Sequence, residues 1–458
     1  MQLAETILQA GIVGCGGAGF PTHAKYSGGQ ISTVIINGAE CEPLLHTDRY
    51  LMENRAGDMI RALDWILKET GAGEGVIALK KTYTKEIQAL TKAIEDCNSS
   101  VRLHLMDSFY PAGDEQTMVY EVTGKVVPPA GIPLNVGCVV NNAATLCCIA
   151  DAMSGKPFTE KYITITGEVR RPMVVKVPLG TPVEACLALA GGATVDDYAV
   201  VNGGPMMGKF IKREQLKDTY VTKTMSGLIV VPADSRYAGN HQVPVAHMLN
   251  RAKSACIQCS FCTQFCPRAL LGHPIKPHKI MRKLASGEMV QELIASADTD
   301  ILNAALCCEC GICEVYACPM GLQPRRINSM VKGELAKAGI RYQRPDAVWE
   351  ALPERNLRKA PTSRVAARAG VGAYTWVKDF PFTEAEAGSI AKVRLSLRQG
   401  IGAPSEPVVR CKDRVTAGQL IAACPEGKLG SALHASISGV VTVGDGYIEI
   451  SNERGAWS

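Results

Sequence analysis

Apolar positions in the first third of the chain recur at helical spacing and then gather into short unbroken runs. In MQLAETILQAGIV, Leu3, Ile7, Leu8 and Ile12 share one helical face, which predicts an opening helix with that face in the core. STVIINGAE and GVIALK read as short buried strands between helical patterns, the rhythm of an α/β layer structure over residues 1–155. From Tyr162 the pattern changes. YITITGEV, MVVKVPLG and YAVVNGGP alternate as strands around a helix in TPVEACLALAGG, which predicts a small mixed β domain over 156–240. A cysteine-dense region follows over 241–345 and ends in a helical pattern, PRRINSMVKGELAKAG. Residues 346–390, with scattered prolines and the basic run RNLRKAPTSRVAAR, read as a solvated linker. Glycine-punctuated alternation in ASISGVVTVGDGYIEIS predicts a small barrel or sandwich over 391–458. The fold class expected is therefore multidomain α/β.

A chain of 458 residues agrees with that division, at about 150 residues per domain. The composition is 47% apolar and 20% charged, and no run of about 18 apolar residues could span a bilayer. The opening residues carry Glu5 and no basic cluster, so neither a cleaved signal nor a membrane span is expected, and the cytoplasm is the expected compartment. Net charge +5, from 49 basic and 44 acidic residues, is too dispersed to suggest nucleic-acid binding. Of 18 cysteines, half fall between Cys256 and Cys318, in spacings that suit metal rather than disulfides.

CIQCSFCTQFCP places Cys256, Cys259, Cys262 and Cys266 in the spacing C-x2-C-x2-C-x3-C-P of bacterial ferredoxins. Three thiolates so spaced wrap one face of a cubane cluster, and the fourth crosses to the neighbouring one. CCECGICEVYACP repeats the pattern with Cys307, Cys310 and Cys313, while Cys318 follows after four residues instead of three. The crossing rule assigns Cys256, Cys259, Cys262 and Cys318 to one [4Fe-4S] cluster, and Cys307, Cys310, Cys313 and Cys266 to the other. Cys308 is left over and reads as a small packing residue. Two zinc ribbons are the alternative, but zinc knuckles rarely carry four cysteines in one such run. Two clusters form a short wire, which implies a donor and an acceptor.

GCGGAGFPT contains G-x-G-x-x-G, but a helical pattern precedes it where a dinucleotide-binding fold would place a strand. The segments GCGGAGFPTHAKY, INGAECEPLLHTDR, YPAGDEQT and VVNNAATL, in that order, resemble the flavin-binding subunit of respiratory complex I. The resemblance implies an FMN site lined by Gly14, Gly16, Gly17, Gly19, Lys25, Asn37, Glu40, Gly113, Asn141 and Asn142. It also implies that Phe20 stacks on NADH while Glu42 and Glu115 hydrogen-bond it. Cys15 stands where that subunit usually has arginine, and Ala39 where it usually has an acid. Cys15 and Cys41 read as buried small residues.

The whole chain resembles the RnfC family of electron-transport proteins, which joins a complex I flavoprotein-like FMN domain, a soluble-ligand-binding β-grasp domain, a ferredoxin-like domain with two clusters and a barrel-sandwich hybrid. In that family the barrel-sandwich segment comes first, whereas here GSALHASISGVV stands near the end. This order, with LALAGGATVDD and NGGPMMG, is similar to the cobalamin reductases of propanediol-utilising bacterial microcompartments. That similarity implies hydride transfer from NADH to FMN, single-electron transfer across the clusters, and reduction of cobalamin toward cob(I)alamin. Shell proteins and an adenosyltransferase are the implied partners, and the microcompartment the implied location. NGGPMMG is the leading place for a corrinoid by the same analogy. His273, His278 and His434 read as surface, turn or packing residues rather than cobalt ligands. The rival reading is an electron-transfer adaptor that recycles NAD or serves another redox partner.

Overall fold

The computed structural model describes residues 2–385 and 387–452. Its opening helix α1 (Gln2–Gln9) buries Leu3 and Ile7, with Leu8 half-buried, and delivers the buried Ile12 and Val13 to the start of the glycine loop. The first strand comes only after that loop. β1 (Thr33–Asn37) is followed by α2 (Thr47–Asn54), α3 (Ala56–Thr70), β2 (Glu74–Lys80), α4 (Thr84–Asp96), β3 (Arg102–Met106), the short β4 (Phe109–Tyr110), α5 (Glu115–Thr123), β5 (Cys138–Asn142) and α6 (Ala143–Met153). The sheet is parallel, in the order β3-β2-β1-β5. Its central strands are continuous apolar runs because helices cover both faces. α1 and the apolar faces of α2, α3 and α6 join one core around Met59, Ile60, Leu63 and Ile66, all fully buried.

The next unit is a mixed sheet built from β6 (Glu160–Gly167), β7 (Met173–Pro178), β8 (Tyr198–Asn202), β9 (Lys209–Lys212) and β10 (Gly227–Pro232), with α7 (Val183–Leu189) packed on it. The cysteine-rich unit is helical and encloses its own core of Met248, Ile280, Met281, Leu284, Ile327 and Val331. The helix expected after Cys318 spans Pro324–Lys337.

Residues 346–390 are not the free tether that their prolines suggested. β11 (Ala360–Pro361) pairs antiparallel with β4, and β12 (Phe382–Glu384) extends the mixed sheet beside β7. Between them the helix Thr362–Ala369 buries Val365, Ala366 and Ala369. Short pairings and prolines hide such a strap, since only its cross-chain partners reveal it. The terminal strands β13 (Lys392–Ser396), β14 (Glu406–Pro407), β15 (Arg414–Val415), β16 (Leu420–Ala423), β17 (Leu433–His434), β18 (Gly439–Gly444) and β19 (Tyr447–Ser451) form two small sheets, β13-β19-β18-β15 and β14-β16-β17. Residues 453–458 of the expected terminal domain lie outside the described residues.

A fully buried lysine ties these units together. Lys223 Nζ donates to the carbonyls of Gly11 at 2.6 Å and Ala432 at 2.7 Å, and so links the loop after β9, the flavin-type domain and the terminal barrel. Burial lowers Lys223 to about 7, so bonds of this kind contribute on the order of 1 kcal/mol each.

Candidate functional site

The glycine loop runs from the end of α1 across the C-terminal edge of β1 and β5, where parallel sheets commonly bind ligands. Gly14 N–H donates to the carbonyl of Phe20 at 2.9 Å and closes the loop on itself. Gly19, at φ +71°, lies against the barrel, where an added Cβ would meet Gly400 Cα at 2.8 Å. At Gly17 an added Cβ would meet nothing within 4 Å, so the backbone there is open to an incoming group. These features form one wall of a cavity of about 510 Å³.

Twelve of the thirteen residues expected around flavin and nucleotide line this cavity: Gly14, Gly16, Gly17, Gly19, Phe20, Lys25, Asn37, Glu40, Glu42, Gly113, Glu115 and Asn142. Asn141 does not. It is buried behind the wall, where its amide donates to Tyr26 Oη. Asn37 Nδ2 donates to the Gly113 carbonyl at 2.8 Å, and Lys25 Nζ to the Val140 carbonyl at 2.5 Å. Asn142 caps α6 by accepting from Ala144 N–H at 2.9 Å, while its amide donates to Asp48 at 2.6 Å.

Glu42 is engaged otherwise than expected. Its two carboxylate oxygens accept from the backbone N–H groups of Met206 and Met207, each at 2.8 Å, in the NGGPMMG loop. Arg325 donates to the Met206 carbonyl from the other side at 2.7 Å. The loop expected to face a corrinoid is thus the junction of three units, and an added Cβ at Gly204 would strike Glu42. Burial pushes Glu42 up to about 7, against the two backbone bonds and Arg325. Burial likewise raises Asp48 to about 6, and burial together with Asp48 and Glu42 raises Glu40 well above the carboxylate range. The acidic side of the cavity therefore carries less negative charge than its residue count suggests.

Cys308 and Cys310 also line this cavity. The flavin-type pocket and the second cysteine run share a wall, and Tyr110 Oη fixes it by donating to the Cys310 carbonyl at 2.5 Å. Nearby, Arg268 makes a bidentate pair with Asp114, at 2.5 and 2.9 Å, two residues from Cys266. Cys310 and Cys313 are buried together with Cys266. Burial raises the Cys313 thiol, and Glu314, Cys307, Cys266 and Cys262 raise it further. Thiols so crowded hold their charge beside a bound thiophilic cation, which the iron of a cluster supplies, so the donor set fits a cluster. The other group, Cys256, Cys259, Cys262 and Cys318, surrounds a second small cavity of about 30 Å³. Cys318 thus stands with the first three cysteines of the other run, and Cys266 stands near Cys307, Cys308, Cys310 and Cys313. Around the Cys256 group, Ile257 is 61% exposed and Phe261 40%, so this group lies toward solvent. Cys308 is half-buried and stands beside Cys310.

Several site residues were not found from sequence: Lys161, Asp48, Thr145, Arg268 and Tyr110. Arg268 could have been suspected from its place two residues after Cys266, and Asp48, Tyr110 and Thr145 from lying inside the segments that carry the resemblance, whereas Lys161 reaches the site only through tertiary packing. His273 is buried, not exposed as expected, because its Nε2 bonds the Val127 carbonyl at 2.9 Å. His278 lines the small cavity, with Nδ1 at 2.7 Å from Thr263 Oγ1. His434 is buried in β17.

Four family models match the chain in succession. They describe a Nuo51 FMN-binding domain over 7–151, an SLBB domain over 162–210, a 4Fe-4S dicluster domain over 255–323 and an RnfC barrel sandwich hybrid domain over 383–451. The chain is 41% identical to cobalamin reductase PduS of Salmonella typhimurium, over 96% of this chain and 94% of that protein. It is 40% identical to cobalamin reductase PduS of Citrobacter freundii, with the same coverage. The RnfC-type component of the Na(+)-translocating ferredoxin:NAD(+) oxidoreductase complex of Acetobacterium woodii is 33% identical, over 58% of this chain and 57% of that one.

Proposed function

This chain belongs to the cobalamin reductase PduS family, and from that premise we propose that it is an NADH-dependent reductase whose electrons leave the flavin cavity through the second cysteine group, cross to the first, and reduce a corrinoid cobalt. The observation that carries this order is the shared wall: Cys308 and Cys310 line the cavity that the glycine loop also lines. FMN supplies the conversion between a two-electron hydride and single electrons, and [4Fe-4S] clusters supply one-electron carriage.

The protein's own residues do the positioning. Gly14, Gly16, Gly17 and Gly19 bring backbone close to the cofactor, and Asn37 and Asn142 orient the loops around it. Phe20 and Glu115 line the same cavity and are the groups assigned to the dinucleotide, whereas Glu42 acts on the NGGPMMG loop. Cys307, Cys310, Cys313 and Cys266 would hold the cluster nearer the flavin. Cys256, Cys259, Cys262 and Cys318 would hold the outer one. Tyr110 and the Asp114–Arg268 pair keep the inner group against the cavity. The exposed Ile257, Phe261 and Met320 make the outer group the exit. No helix among the described residues is long and apolar enough to cross a membrane. We assign the protein to the bacterial microcompartment, with shell proteins and an adenosyltransferase as partners.

Anaerobic reconstitution with iron, sulfide and FMN, followed by NADH and aquacobalamin, tests the reading. Flavin-dependent appearance of cob(II)alamin, and of trapped cob(I)alamin, is expected. The similarity to the RnfC-type relative favours a second reading, in which another protein takes the electrons. Cofactors bleached by NADH beside cobalamin that stays oxidised would select that one.

A further inference from the structure

Two lysines face the flavin cavity, and the protein meets their charges differently. Lys25 donates to the Val140 carbonyl and stands 3.7 Å from a Glu115 carboxylate oxygen. Lys161 makes no ion pair among the described residues. It is 3% exposed, lines the cavity, and comes from β6 of the mixed-sheet domain instead of the flavin domain. Its surroundings are the Cys15 and Cys148 thiols, the Phe158 ring at 5.9 Å from Nζ, and Asp48 beyond salt-bridge reach. Asp48 is itself turned to the Asn142 amide at 2.6 Å. The Cys15 thiol, not a carboxylate, stands beside Lys161; a buried ammonium so placed is costly, and a ligand anion removes that cost.

We propose that Lys161 is the cation for the phosphate of bound FMN, so that the β-grasp domain completes the flavin site. The proposal rests on the flavin reading above. The neighbourhood of Lys161 also presents backbone that can bind an anion. Cys15 N–H bonds Thr145 Oγ1 at 2.9 Å, which ties the glycine loop to the first turn of α6. That helix is 11 residues long and its first turn, through Ala144 and Thr145, lies on the cavity wall. Asn142 caps the Ala144 N–H, and the Ala143 and Thr145 N–H groups, which lack intrahelical acceptors, favour an anion. The open backbone at Gly17 adds room beside them. The isoalloxazine ring is neutral when oxidised and asks for uncharged donors, whereas the phosphate carries charge in every redox state. Lys25, already paired, is left for the other end of the ligand.

The test uses the full chain with its clusters, stripped of flavin, and titrates FMN and riboflavin separately by flavin fluorescence. Lys161→Gln should weaken FMN by about ten- to a hundredfold, as loss of a charge-assisted bond implies, and leave riboflavin unchanged. Lys161→Arg should restore most of the FMN affinity. If Lys161→Gln does not accumulate, Lys161→Met carries the same expectation, with circular dichroism and cluster absorption as checks of folding. Equal weakening of FMN and riboflavin, or no change in either, overturns the proposal while the flavin reading stands. A wild-type chain that binds neither flavin overturns both.

Discussion

Asp114→Asn isolates the ion pair that holds the flavin domain to the cluster domain. The side chains of Arg268 and Asp114 are 10% and 13% exposed, and their two contacts at 2.5 and 2.9 Å are bidentate. Neutralising one partner leaves the other charge buried, at a cost of about 3–5 kcal/mol. Asparagine keeps the second duty of Asp114, which caps α5 by accepting from Thr117 N–H at 3.0 Å. Asp114→Ala should therefore cost about 1 kcal/mol more. A multidomain chain need not unfold in one step, so global melting is the wrong assay. Hydrogen exchange at α5 and at residues 266–272 reports the local opening instead. The stated cost lowers protection there by roughly a hundred- to a few thousandfold, at 1.4 kcal/mol per tenfold. Burial alone would raise Asp114, but Arg268 holds it below the usual carboxylate range. The stabilisation is thus complete above the unfolded value of about 3.9 and fades as pH falls through the lower folded value. Wild type and Asp114→Asn should differ at pH 7 and converge in acid. Replacing both partners, as Asp114→Leu with Arg268→Met, should recover most of the loss, since an apolar pair removes both buried charges. A change in protection under tenfold, or a double variant as open as the single one, would refute the reasoning.

Cys310→Ser should lose one cluster and fall to about four iron per chain, whereas Cys308→Ser should keep about eight, by iron analysis after anaerobic reconstitution. Equal loss in both would show that the spare cysteine is a ligand. Gly17→Ala should leave stability unchanged and raise the FMN dissociation constant, because its new methyl enters only the cavity. Gly19→Ala should instead lower hydrogen-exchange protection in the glycine loop and at residues 399–402, since it is strained at φ +71° and collides with Gly400.

What the sequence disclosed was local. The cysteine spacings place three thiols of each run on one loop, so the division into two groups is legible in the spacing, with the crossing rule adding the fourth. The glycine loop was legible for the same reason, and the helix before it already argued against a standard dinucleotide fold. What stayed hidden depends on partners far along the chain. His273 bonds a carbonyl 146 residues away, Glu42 is held by backbone 164 residues on, and Lys161 enters the flavin cavity from another domain. The strap over 346–390 was hidden too, because pairings of two or three residues leave no periodicity to detect.

The bonds from Lys223 to Gly11 and Ala432, with that from Ile401 N–H to the Ala18 carbonyl at 3.0 Å, bear on how such chains are rearranged. They seat the last domain in sequence on the first twenty residues of the chain. Head and tail are neighbours, so the barrel can be carried at either terminus and still dock at the same place. The different domain order that the RnfC resemblance implies then asks for no new interface. It needs only a connection cut at one end of the polypeptide and made at the other.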